Sequence, residues 1–366
     1  MSDTMNPGPV AGTIVGLDGH LRTCNLCGIN GAGVVLRRFR NLPTNAEALT
    51  EAIGCFPRPV ILIVEESTMA HWFLTLFRPL VDRVVVVDPK RNRLISEANT
   101  KSDPLDAYRL ADLFRIGAVQ EVYHSSDPNR VAFRRAVQQY EDITRESTKL
   151  KNRIRKTYHL YGLNPEALLI YHPHRRPTLM ADLPEDGRFR LQAWYRVLDE
   201  VALCRKEALR RIRTLSRTFE EVAWFQTIPG TGILTASQLS AYLQTPDRFQ
   251  RKSQVWGYAR LAVVDRSSDG RPIGRQHLSR QGLGVLKAAS RRIFDSSFKK
   301  NGGKNAIAQY YCRLLARLNN PVHARLTTQR RILELAWTMW KRKEVFDVDS
   351  LSPGLAPRPP QTRYSR

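Results

Sequence analysis

The chain has 366 residues, which at about 100 to 200 residues per domain is enough for two or three compact units. A composition of 42% hydrophobic and 25% charged residues excludes a disordered or fibrous protein. With 58 Lys and Arg against 34 Asp and Glu, the formal charge is +24, an excess from which a polyanionic partner is expected, nucleic acid ahead of an anionic membrane. No run approaches the about 18 apolar residues of a membrane span. The N-terminus MSDTMNPGPV lacks the basic region and apolar stretch of a secretory signal. The expectation is therefore a cytoplasmic protein with no membrane partner, associated with the nucleoid when it acts. Five scattered cysteines make no disulfide framework, and the Cys24-x-x-Cys27 pair has no second pair to close a zinc site, so it reads as strand residues.

The first segment alternates strand and helix signals. Thr13 to Asp18, Cys24 to Ile29 and Val34 to Phe39 predict three strands, and Asn45 to Phe56 predicts a helix. Pro59 to Val64 contains a β-branched run suited to a strand buried on both faces, followed by a helix over His71 to Leu80 and another buried strand over Val84 to Val87. Three strands, then helix, strand, helix, strand, helix is the order of a ribonuclease-H-like mixed sheet. A dinucleotide-binding fold would need a glycine-rich turn after the first strand, and Gly16-Leu-Asp-Gly19 is not one.

From Asn129 to Tyr161 the pattern becomes a long polar helix carrying Arg145, Lys149, Lys151, Arg153, Arg155 and Lys156. Prolines 165, 173, 177 and 184 interrupt it, and a second helical stretch over Phe189 to Trp224 carries Arg205, Arg210 and Arg213. Two basic helices joined by a loop predict a hairpin or coiled-coil arm whose single-sign charge meets nucleic acid. Next, Ile228-Pro-Gly-Thr-Gly232 before Leu234 to Leu243 has the form of a helix-hairpin-helix turn, in which Gly230 and Gly232 offer backbone N–H groups to a phosphate. The basic stretch Arg271 to Arg292, with Arg271, Arg275 and Arg280, follows the polar loop Asp265 to Gly270, and a helix over Leu326 to Lys343 closes the fold. The predicted class is α/β plus all-α. A ribonuclease-H-like domain covers 11–125, a basic helical arm 126–223, a mainly helical domain 224–345 and a disordered tail 346–366.

Acidic residues at strand ends and helix starts are the candidates for chemistry. Asp18 closes the first strand, Glu65 and Glu66 close the fourth, and Asp103 and Asp106 share one face at a helix start. Because side chains alternate along a strand, only one of the two glutamates can point the same way as Asp18. Carboxylates converging at a sheet edge repel unless a cation lies between them, and a pair of Mg²⁺ ions polarising a phosphodiester is the usual solution. Taken singly, each has a structural explanation: Asp103 before Pro104 has the form of an N-cap, and Asp18 before a glycine that of a turn.

Several of these motifs together resemble one family. Gly16-Leu-Asp18, Glu66-Ser-Thr68 with Trp72, Asp88-Pro89 and Lys101-Ser-Asp-Pro-Leu-Asp-Ala107 resemble the DEDD domain of the bacterial insertion-sequence family numbered one hundred and ten, whose N-terminal half is similar to the Holliday-junction resolvase RuvC. Ile228 to Gly232, Arg248-Phe249, and Ser267-Ser268 followed by Gly270 and Arg271 to Arg280 resemble its C-terminal transposase domain. Piv-type DNA invertases share the superfamily. The resemblance runs from about Thr13 to Phe294 and implies a recombinase that moves a DNA element, joining donor and target duplexes as a dimer or tetramer with a guide RNA bridging them. It further implies Mg²⁺ on Asp18, Glu66, Asp103 and Asp106, with Glu65 as the alternative glutamate. By the same resemblance the attacking serine carries over to Ser268, with Ser267 as the alternative; Asp269 follows it where the family commonly has glycine. Neither serine has a neighbouring His, so metal-assisted activation is the economical route for a weak nucleophile. Two other readings are a ribonuclease-H-like nuclease that hydrolyses junctions and a silent nucleic-acid-binding protein.

Overall fold

The computed structural model describes residues 12–89, 103–166, 169–264, 267–268, 271–272, 277–299 and 303–351. The chain divides into two units, one ending at His124 and the other beginning at Ser125.

In the first unit, β1 (Thr13–Gly19), β2 (Thr23–Ile29), β3 (Val35–Pro43), β4 (Val60–Glu65) and β5 (Arg83–Val87) form one sheet in the order β3-β2-β1-β4-β5. The pairs β1–β2 and β2–β3 are antiparallel, and β1–β4 and β4–β5 are parallel. This is the mixed order expected of a ribonuclease-H-like sheet. Strand alternation sorts its two faces. Val15, Leu17, Leu62 and Val64 pack under α1 (Ala46–Gly54) and α2 (Ala70–Phe77), together with Leu49, Ile53, Phe73 and Phe77. Ile14, Ile63, Val85 and Val87 point the other way, against Ala107, Leu110 and Ala111 of α3 (Asp103–Arg115).

In the second unit, α4 (Pro128–Leu160) starts at the N-cap Asp127, whose carboxylate accepts from the N–H of Asn129, with Pro128 supplying the fixed φ of a first helical turn. The short α5 (Arg176–Met180) interrupts the return, as the prolines require, and α6 (Glu185–Ser216) runs back. Leu150, Ile154 and Tyr158 meet Leu191, Tyr195 and Leu198, while Phe133 and Val137 cluster with Ile212, so the two helices are antiparallel. The three-and-four spacing of these apolar residues is that of a coiled-coil seam. The single helix expected over Phe189 to Trp224 is instead two: α6 stops at Ser216, and α7 (Glu220–Gln226) follows Phe219, which turns inward onto Phe133 with ring centroids 4.8 Å apart.

Beyond it, every residue of α8 (Ile233–Leu243) from Thr235 to Leu243 is buried, which makes it the central helix of the C-terminal core. It packs against α4, α6, α7 and α10 (Gly284–Lys299), and α9 (Lys252–Tyr258), α11 (Ala306–Leu318) and α12 (Pro321–Arg342) complete the same core. Short strands β6 (Val263–Val264) and β9 (His277–Leu278) pair with each other, as do β7 (Ser267–Ser268) and β8 (Arg271–Pro272). The expected disordered tail from 346 needs correcting. The Phe346 N–H donates to Thr227 Oγ1 at 2.8 Å, and Leu351 is buried in the core, so apolar burial extends the packed chain to residue 351. Residues 352–366 lie outside the described residues.

Candidate metal centre and nucleic-acid surface

Alternation from Ile14 puts Gly16 and Asp18 on the face of the sheet that α3 covers. A Cβ on Gly16 would stand 2.0 Å from the carbonyl oxygen of Ala107 and 2.9 Å from the nitrogen of Ala111, so only glycine lets this helix lie so close. The far end of α3 is located by Gly33, in the turn after β2, where a Cβ would stand 3.2 Å from Arg115 Nε. Since Ile29 at the end of β2 pairs with Ile14 at the start of β1, α3 ends where β1 begins. Its first turn, with Asp103 and Asp106, therefore sits at the end of the sheet where β1 closes with Asp18.

Asp18 is mostly buried, with Oδ2 3.2 Å from His20 Nε2. Asp106 is exposed and lies 3.6 Å from Arg109 Nη1. Asp103 opens α3, and its side chain lies outside the described residues. The two glutamates have different surroundings. Leu17 pairs with Val64 in the parallel ladder, so Glu65, next along, shares Asp18's face at the exposed strand end. Glu66 follows the strand; its N–H donates to Val87 O at 2.9 Å, and its Oε2 lies 2.5 Å from His124 Nε2. The fold thus collects Asp18, both glutamates and the start of α3 at one end of the sheet. Among the described side chains, no three His, Cys, Asp or Glu groups form a ready metal cage. Carboxylate oxygens at a sheet end nonetheless suit Mg²⁺, which keeps several of its waters and takes only one or two carboxylates at a time.

Cys24 and Cys27 fall in the clusters on opposite faces of β2, so they cannot share one ion.

In the second unit the Ile228 to Gly232 turn is held by packing. Gly230 has φ +88, and a Cβ there would stand 2.5 Å from Ile293 O and 2.9 Å from Ser297 N. Gly232 faces open space, and its N–H donates to Thr235 Oγ1 at 3.0 Å. Ser267 pairs with Pro272 and Ser268 with Arg271 along the backbone. The side chains of Ser267, Ser268 and Arg271, and all of Arg275, lie outside the described residues; Arg280 is exposed.

On the arm, Arg145, Lys149, Arg153, Arg155, Lys156, Arg210 and Arg213 are exposed, and Lys151 and Arg205 are half-buried. Arg145 pairs with Asp142, and Lys149 with Glu146 at 2.6 Å, while Arg153 lies over Trp194 at 5.1 Å and Lys151 over Tyr171 at 5.0 Å. Exposed pairs of this kind contribute little and leave a cation able to exchange partners.

Sequence reasoning missed the polar network that anchors the arm. Arg130 Nη1 donates to buried Glu221 at 2.5 Å, and its guanidinium lies over Phe219 at 4.1 Å. Glu141 accepts from Tyr242 Oη at 2.6 Å and Gln238 Nε2 at 2.7 Å; burial pushes its carboxyl above the usual range. These partners lie about a hundred residues apart, and no local pattern announces them. His124 was missed for the same reason, standing 58 positions from Glu66.

Residues 15–165 match the family model for DEDD-type IS110 transposases, and residues 222–294 match the Transposase IS116/IS110/IS902 family. The chain belongs to the IS110 family of transposases. No curated protein matches it. As an IS110-family transposase it is an enzyme that acts on DNA, and its five-stranded sheet is the RuvC-like fold of the family. Membership also implies a divalent metal, for which the carboxylates around Asp18 are suited. Among the described residues, no helix is long and apolar enough to cross a membrane.

Proposed function

We propose that this transposase is a Mg²⁺-dependent recombinase that cuts DNA with a serine and rejoins it to a second duplex under the direction of a guide RNA. The observation that carries the metal part is the contact at Gly16, which sets the first turn of α3 at the sheet end occupied by Asp18. Asp18, Glu66, Asp103 and Asp106 would hold the cation, with Glu65 as the alternative glutamate. When bound, Mg²⁺ lowers the charge on a scissile phosphate and favours ionisation of an attacking hydroxyl.

The nucleophile is Ser268, or Ser267 beside it. Its Oγ bonds to phosphorus and the phosphorus bond to a deoxyribose oxygen breaks. The serine proton leaves to solvent, and the released deoxyribose oxygen takes one up. The phosphoserine diester keeps the bond energy, so attack by a hydroxyl of another strand restores both DNA and serine without an external energy source.

The cations of the arm, exposed Arg145, Lys149, Arg153, Arg155, Lys156, Arg210 and Arg213 and half-buried Lys151 and Arg205, suit the phosphates of a structured RNA. Gly230, Gly232, Arg271, Arg275 and Arg280 are proposed to meet nucleic acid in the second unit, and two or four copies to act together on donor and target. A nicked substrate with Mg²⁺ should give a detergent-resistant protein–DNA adduct that maps between Arg266 and Arg271. Ser268→Ala should bind DNA normally and form none. Free ends without an adduct, produced equally by Ser268→Ala, would replace this reading by a hydrolytic nuclease.

A further inference from the structure

A 2.5 Å contact at this end of the sheet involves a residue that neither the motifs nor the family match assigns. We propose that His124 is a positioning residue for the recombination chemistry, fixing the Glu66 carboxylate for its cation; the inference rests on the reading of Glu66 as a metal ligand.

An extended backbone segment delivers His124. After α3, the N–H of Asp88 donates to Gln120 O at 3.0 Å, Val87 bridges Glu121, and the N–H of Val122 donates to Val86 O at 2.7 Å. The segment thus adds an antiparallel edge to β5. Arg83 holds Glu121 at 2.6 Å, Val122 packs with Ala70, Leu74 and Val86, and Arg78 Nη2 donates to His124 O at 3.3 Å. These contacts fix the backbone on both sides of the imidazole, whose side chain is only 15% exposed against 38% for Glu66.

The direction of the bond follows from chemistry. An ionised carboxylate has no proton to give, so Nε2–H of His124 donates to Glu66 Oε2. This engages one oxygen and leaves Oε1 for a cation. Glu66 stands just past the end of β4 with its N–H held by Val87 O, but the ladder does not fix its side-chain rotamer, and a partly exposed glutamate there would otherwise sample many. A donor whose backbone is held by Val86 and Arg78 removes that freedom in advance. Hydrogen-bond partners of metal-binding carboxylates commonly change metal affinity about 10- to 100-fold when removed.

The test is Mn²⁺ binding by the full-length protein, followed by electron paramagnetic resonance of the free ion alongside thermal melting. His124→Ala should weaken binding about 10-fold with melting unchanged. His124→Gln, whose Nε2–H reaches the same oxygen, should restore it, and His124→Asn, one methylene shorter, should not. The Gln and Asn pair reads the bond at constant chemistry even if the Ala variant melts early. Wild-type affinity in both His124→Ala and His124→Asn, with Glu66→Gln weakened, overturns the positioning role and leaves the metal reading intact. Unchanged affinity in Glu66→Gln overturns the assignment of Glu66 itself, and loss in Glu65→Gln would then identify the other glutamate.

Discussion

Cys24 and Cys27 are three residues apart on a strand, and that odd spacing sends one thiol to each face of the sheet. Burial pushes both thiols above their ordinary range, against weaker opposing contributions from Thr44 at Cys24 and Arg38 at Cys27. A group whose folded pKa is raised contributes stability that is complete below its unfolded value and is lost as pH rises through the folded value. The two thiols therefore disfavour the folded state only in alkali, and near neutral pH they stay protonated and inert. Exposed Cys55 and Cys312 should be alkylated by iodoacetamide under native conditions, with Cys24 and Cys27 modified only after denaturation, as peptide mass spectrometry would read directly. Rapid native labelling of Cys24 or Cys27 would mean that β2 is not held between two cores.

At the scale of the element, the relation of α3 to β1 decides whether the carboxylates meet. Gly16 is the contact point, and the atoms a methyl would strike are backbone, which cannot rotate away. Gly16→Ala should therefore displace the helix, at a stability cost of about 1–3 kcal/mol for overpacking. Cleavage should fall much further than stability does, because the first turn carrying Asp103 and Asp106 moves with the helix. Melting and metal-dependent cleavage measured on the same preparation would check this. A variant that melts early yet cleaves normally would separate α3 from the chemistry. The Gly16→Ala change removes no carboxylate, so a loss of cleavage would report position alone.

For the whole molecule, the charge of +24 is put to two different uses. Arg130 and Arg292 are drawn into the buried network at the root of the arm, where Arg292 donates to Gln238 Oε1 at 2.5 Å. The solvated cations further along α4 are the ones proposed to meet a polyanion. Binding of structured RNA should weaken with salt, the log–log slope being about −0.7 to −0.9 per phosphate neutralised. Replacing Lys149, Lys151, Arg153 and Arg155 together by Ala should flatten that slope by up to about 3.6 and weaken all RNA sequences alike. An unchanged slope in filter-binding titrations would remove the arm from the interface.

The sequence by itself determined the class of each segment. β-branched runs such as Val60 to Val64, the i, i+4 spacing of Leu150, Ile154 and Tyr158, and the prolines between the arm helices are local signals, because hydrophobic period and backbone sterics act within a few residues. Asp18, the Glu65–Glu66 pair, Asp103 and Asp106 could likewise be marked as candidates from their positions at strand ends and a helix start, while the preference for Glu66 came only from the family resemblance. Local signals were weaker at ends: the break before α7 and the packing of Phe346 to Leu351 depend on what Phe219 and Leu351 bury against, which spacing does not encode. The tertiary structure alone decided that α3 runs back along β1, that Glu65 and Glu66 occupy different surroundings, and that His124 and Arg130 find partners far away in the chain. The physical reason is that hydrogen bonds and close backbone approaches depend on distance in space, and 58 intervening residues leave no trace of it in the sequence around either Glu66 or His124.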